Sequence, residues 1–253
     1  MATPAEPARA GLKASHTPSA IRKRLRDNSG AGYLRDFVLG AVDGTVTTFA
    51  VVAGVAGAGL SSVVIVILGS ANLLADGFSM AAGNYLGARA DEQLRDQLRR
   101  VEEDHIAKYP EGEEEEVRQI FRRKGFTGED LERAVKTITS NRERWVETML
   151  VEEYGLPSQS PSPWKAAAAT FLAFVAVGAT PLLPYLTQWL GQPVEQPFGW
   201  SSALTGSAFF FTGALKSRFV GQRWWVSGLE TLALGGGAAT VAYLVGMVLG
   251  GLS

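Results

Sequence analysis

Charge is missing from long stretches of this chain and crowded into one. Of 25 acidic residues, 18 lie between Asp91 and Glu153, and half of the 24 basic residues share that segment. Elsewhere run apolar stretches long enough to cross a bilayer, which takes roughly 20 mostly apolar residues per helix. Whole-chain averages hide this. Apolar residues make up 46% and the mean hydropathy is only +0.07, values an ordinary soluble protein could show.

Five stretches qualify: about Phe37 to Leu60, Val63 to Leu86, Ala166 to Leu190, Phe198 to Leu215 and Trp225 to Leu252. Lys and Arg set their orientation. Arg22, Lys23, Arg24, Arg26 and Arg35 flank the first. The first hairpin has no charge. The third-to-fourth connection holds only Glu195, and the fourth-to-fifth holds Lys216, Arg218 and Arg223. Basic and non-basic sides alternate. The N-terminus and the charged insert are therefore expected in the cytoplasm and the C-terminus outside.

The expectation is an all-α integral membrane protein with five transmembrane helices and a small cytoplasmic helical bundle inserted between helices 2 and 3. Residues 1–31 read as a disordered cytoplasmic tail without a signal peptide's apolar core. Residues 32–88 carry the first two spans, 89–163 the cytoplasmic domain and 164–253 the last three spans. An odd number of spans excludes a simple inverted repeat within one chain, so a pathway between protomers fits. Gly40 and Gly44, Gly83 and Gly87, and Gly246 and Gly250 are spaced for close helix approach. Dimerisation through the first helix is one use of such pairs, and ordinary packing is another. With no cysteine, disulfides and thiolate metal sites are excluded, and a net charge of −1 gives no reason to expect nucleic acid.

Two aspartates stand inside apolar stretches, Asp43 in the first and Asp76 in the second. Each costs roughly 2.5–3.5 kcal/mol near a helix centre, so it should face a cavity or a partner. Asn72, Asp76, Met80 and Asn84 are spaced by four and share one face. At about 1.5 Å per residue, Asp43 and Met80 both lie about 9 Å from the cytoplasmic side, with Asp76 a turn deeper. Carboxylate, amide and thioether together suit a borderline ion such as Fe²⁺ better than Mg²⁺ or Ca²⁺. A carboxylate there can bind a metal ion or a proton, the basis of antiport. Asn72, Asn84 and Met80 can equally be packing residues.

The second span has no breaker before Arg89, and the helical pattern continues through Leu94, Leu98 and Val101 to about Lys108, so it should project into the cytosol as one rod, interrupted by Pro110 and Gly112. Shorter helices follow over about Glu113 to Lys124, after Thr127, whose spacing to Asp130 resembles a capping box, and over about Arg142 to Tyr154. Glu102 with His105, Glu113 with Glu116, and Met149 with Glu153 each share a helix face, with Glu152 alongside. Such side chains can build a multi-carboxylate metal site. They can also be a solvated charge run beside a core methionine.

The segments from Asp36 to Gly44 (DFVLGAVDG) and Ala75 to Leu86 (ADGFSMAAGNYL), the acidic insert ending in Met149 and Glu153, and Thr180 to Pro184 (TPLLP) together resemble the vacuolar iron transporter family, from about Gly32 to the C-terminus. The resemblance implies a homodimer of five-span subunits in a lipid membrane, with the ion path between them. It implies Fe²⁺ export from the cytosol, often with Mn²⁺ and other divalent ions, coupled to inward proton movement. Asp43 and Met80 match the family's pore residues. Glu102, Glu113, Glu116, Met149 and Glu153 match its cytoplasmic ligands, with Glu152 a neighbour and the register of Glu113 and Glu116 open by one residue. His105 stands where the family usually has a second glutamate. Its imidazole removes a negative charge, shifting preference toward Zn²⁺ or Co²⁺.

Two other functions remain to be weighed. One is a membrane-tethered metal buffer or sensor without flux. The other is a di-iron oxidase, which needs two Glu-x-x-His motifs where Glu102 to His105 supplies one. The short loops and Ala/Gly/Arg-rich style favour a bacterial cytoplasmic membrane over a vacuolar one.

Overall fold

A computed structural model describes residues 13–26, 30–158 and 161–252. Among them the elements are helices: α1 (Pro18–Arg26), α2 (Gly30–Gly57), α3 (Ser62–Lys108), α4 (Pro110–Arg123), α5 (Gly128–Thr139), α6 (Arg142–Glu152), α7 (Pro163–Gly178), a 3₁₀ turn (Thr180–Leu182), α8 (Leu183–Trp189), α9 (Pro197–Val220) and α10 (Trp224–Gly250). The stretch expected to be a disordered tail thus contains α1. Its residues 1–12 and 27–29 lie outside those described. The chain forms two compact units, Met1–Asn84 with Trp164–Ser253, and Tyr85–Pro163.

Among the described residues, four helical segments are long and apolar enough to cross a membrane: Gly32–Gly57, Ser62–Lys108, Pro163–Trp189 and Trp224–Gly250. The third was expected to be one helix. It breaks after Gly178, because Pro181 and Pro184 lack the amide N–H that would continue the ladder. Helix α9, the fourth expected span, has 24 residues but is more polar than the other four. Ser201, Thr205 and Thr212 are buried along it. It packs on α2 and α10.

Two of the three glycine pairs serve contacts within the chain. A Cβ on Gly44 would sit 2.5 Å from the Phe174 carbonyl oxygen, and one on Gly40 would overlap the Thr170 carbonyl. So α2 and α7 touch backbone to backbone, and the first-helix pair is already occupied. Gly246 and Gly250 bring α10 onto Gly54 of α2 and Ala58 just past its end in the same way. Gly83 and Gly87 have nothing within 4 Å of a built Cβ. The core between these helices holds Phe49, Val52, Leu73, Phe174, Leu182, Tyr185 and Phe209.

The second unit is a bundle of α4, α5 and α6 with the C-terminal part of α3. Helix α3 runs unbroken to Lys108, and Pro110 then occupies the first turn of α4, where its missing N–H costs nothing. Val117, Ile120, Leu131, Val135, Trp145, Val146, Met149 and Leu150 form its core. Arg95 pairs with Glu147 at 2.6 Å, and Arg142 donates to the Glu103 carbonyl at 3.0 Å, tying α6 to α3. Asn141 caps α6, accepting from the Arg144 N–H at 2.9 Å. The expected capping box at α5 does not close. Thr127 is the N-cap but makes no side-chain cap bond, and Asp130, a methylene shorter than the usual glutamate, pairs with Arg133 instead.

Candidate metal-handling site

Within the first unit, Asp43 on α2 and Asp76 on α3 are both half-buried and near enough to repel one another electrostatically. Each of the two helices thus brings one acid within electrostatic reach of the other. Met80, one turn further along α3, packs against the apolar core. Asn72 has its side-chain amide nitrogen buried with no partner. Asn84 is differently engaged: it donates to the Thr170 hydroxyl on α7 at 2.7 Å and lies beside Asp36. Of the four-spaced stripe, Asn84 is therefore a helix-joining residue.

The second unit holds a tighter cluster. Glu102 and His105 project from one face of α3, and Glu113 from the first turn of α4. One ligand atom from each lies within 4.8 Å of the other two. The His105 Nδ1 is 3.3 Å from Glu113 Oε1. Glu102 is 1% exposed and Glu113 6%. Glu102 Oε1 accepts a hydrogen bond from the Tyr154 hydroxyl at 2.8 Å, while Glu102 Oε2 and Glu113 Oε2 are buried and, with both carboxylates ionised, have no donor. Buried carboxylate oxygens are rarely left so, because each unmet acceptor costs kilocalories. A cation between them would satisfy both.

Electrostatics agree. Burial pushes the Glu113 carboxyl up to about 7, helped by the negative charges of Glu102 and Glu116 and by a hydrogen bond from the protonated group to Glu102, and opposed by His105. Burial also raises Glu153, with Glu102 and Glu116 adding to it. So Glu116 and Glu153, though exposed, lie close enough to feel the cluster. Burial first, then the bond to Glu102, pushes the Tyr154 phenol well above its usual range, keeping it a donor. Met149 is fully buried in the bundle core. Glu152 points elsewhere and is held in an ion pair by Lys124.

A profile of the VIT family matches residues 34–247. That interval contains both intramembrane acids and the whole carboxylate cluster. The chain belongs to the VIT family. It is 33% identical over 251 residues to a vacuolar iron transporter of Toxoplasma gondii, covering 94% of this chain and 83% of that one. It is 32% identical to vacuolar iron transporter 2 of Oryza sativa subsp. japonica, covering 83% and 85%. With vacuolar iron transporter 1 of Arabidopsis thaliana it shares 31% identity, covering 85% of each. These VIT relatives are transporters by name, and this chain is a membrane transporter and not an enzyme. Their names point to a vacuole, so the comparison lends nothing to the bacterial membrane expected from loop length.

In this VIT chain two site features escaped the sequence reading. Tyr154 follows Glu153 and was read only as the end of a helix, because nothing local announces a phenol reaching a glutamate 52 residues earlier. Glu230 was also missed, though it is the lone acid in α10 and therefore visible. It pairs with Lys216 of α9 at 3.1 Å, which neutralises both charges across the two helices.

Proposed function

We propose that this chain moves Fe²⁺ out of the cytosol in exchange for protons, as one subunit of a homodimer. Mn²⁺, Zn²⁺ and Co²⁺ are further cargo candidates. The observation that carries the reading is the pair of partnerless carboxylate oxygens, Glu102 Oε2 and Glu113 Oε2, in a site whose third member is an imidazole. Two carboxylates and one neutral nitrogen are a donor set for a borderline divalent ion. Glu116, Glu153 and Met149 are candidates to complete it as the ion arrives.

Asp43 and Asp76 extend the route into the membrane, with Met80 and Asn72 beside it. An acid in hydrocarbon is functional by default, and here two sit together. Either can hold a metal ion or a proton, so ions moving in opposite directions compete for the same oxygens. Helix α9 is the fifth span of this reading. Its 24 residues reach about 36 Å, enough for a core of roughly 30 Å. Its buried Ser201 hydroxyl donates to the Pro181 carbonyl at 2.6 Å.

The test is reconstitution. Proteoliposomes holding the purified chain should take up Fe²⁺, and a proton gradient of the right sign should accelerate it. Metal binding with no flux in either gradient would instead make the chain a membrane-tethered buffer.

A further inference from the structure

Glu102 has two oxygens in unequal surroundings. Oε1 accepts from Tyr154 at 2.8 Å, and Oε2 has no partner. The residue is 1% exposed, so water does not even out that difference. The phenol is itself held. Tyr154 packs on the bundle core, its N–H reaches the Met149 carbonyl at 3.4 Å, and the Leu156 N–H reaches the Leu150 carbonyl at 3.0 Å. These bonds fold the chain tightly past the end of α6 and aim the side chain at α3.

We propose that Tyr154 is a positioning residue that holds Glu102 to coordination through Oε2 alone, and thereby favours small transition-metal ions over Ca²⁺. The inference rests on the reading of Glu102, His105 and Glu113 as the cytoplasmic metal site. Ca²⁺ takes 6–8 oxygen ligands and often fills that larger sphere by binding a carboxylate through both oxygens. A glutamate with one oxygen engaged by a phenol cannot close that bite without breaking the bond. A smaller ion needs only one oxygen and accepts the imidazole nitrogen that Ca²⁺ binds poorly. A phenylalanine at this place would fill the same volume and leave Glu102 free to chelate.

The full-length protein in detergent is titrated with Co²⁺, read by its visible d–d absorption, with Ca²⁺ as competitor. E102Q identifies which part of the signal belongs to this site. Y154F, with its helical circular dichroism checked, should weaken Co²⁺ binding about 10-fold, the size of effect typical for a group that orients a ligand. Ca²⁺ affinity should hold or rise, so the Co²⁺-to-Ca²⁺ preference falls. The Co²⁺ spectrum should change toward a higher coordination number. An unchanged preference and spectrum would overturn the proposal. So would an equal loss for both ions with the spectrum intact, which is mere loosening. A phenolate charge-transfer band in the wild type would make Tyr154 a ligand and overturn it too. If the wild type shows no Co²⁺ signal sensitive to E102Q, the metal site itself fails, and this inference with it.

Discussion

Glu113 should make the metal-free cytoplasmic bundle weaken as pH rises. Its carboxyl titrates near 7 in the folded chain against an ordinary 4.5, chiefly because it is buried and secondarily because Glu102 and Glu116 face it. Below about 4.5 both folded and unfolded chains hold the proton, and the group contributes no difference. Between 4.5 and 7 the folded chain keeps a proton that the unfolded chain has released, so stability falls with pH. Above 7 the folded chain carries a buried charge that it resists, and the loss is complete. The difference of 2.5 between 4.5 and 7 corresponds to an upper bound of about 3–4 kcal/mol at 1.36 kcal/mol per unit. Hydrogen exchange of the amides around Val117 and Ile120, corrected for intrinsic rate, measures it on the full-length protein under chelator. Protection in the wild type should fall between pH 5 and pH 8, in Glu113→Gln it should stay nearly flat, and Co²⁺ should restore it in the wild type alone. Flat protection in the wild type, or the same fall in Glu113→Gln, would refute the reasoning.

Other outcomes follow from the same geometry. Glu152→Gln should leave Co²⁺ affinity unchanged, since Glu152 is taken by Lys124, whereas Glu102→Gln should abolish tight binding; isothermal titration compares them. Met149→Ala removes a fully buried thioether and should destabilise the bundle by about 2–5 kcal/mol, read by hydrogen exchange in α4 and α6. Gly44→Val should prevent α2 from closing on the Phe174 carbonyl, at a cost of 1–3 kcal/mol or more, about the range for overpacking, seen as a lower melting temperature in detergent.

What was legible in the sequence was whatever periodicity or charge encodes. The rod from Ser62 to Lys108 carries no breaker, and the faces bearing Val117 and Ile120 or Trp145 and Met149 repeat at helical spacing. Glu102, His105 and Glu113 were legible because acids and an imidazole on neighbouring helix faces are a recognisable donor pattern. Long-range choices were not. Spacing alone could not say that Gly40 and Gly44 would be consumed by Thr170 and Phe174 of the same chain. Nor could it tell that Asn84 would spend its amide on Thr170, that Glu152 would turn to Lys124, or that Tyr154 would reach Glu102. Pro181 and Pro184 were in plain view, yet the apolar run around them outweighed their effect on the third span.

The most direct measurement is Fe²⁺ uptake into proteoliposomes by Asp43→Ala, made alongside Co²⁺ binding in the same preparation. Cytoplasmic binding should persist while uptake falls to the level of empty vesicles. Uptake at the wild-type rate would mean that cations cross without the membrane carboxylate, contradicting the proposed passage of cations at Asp43.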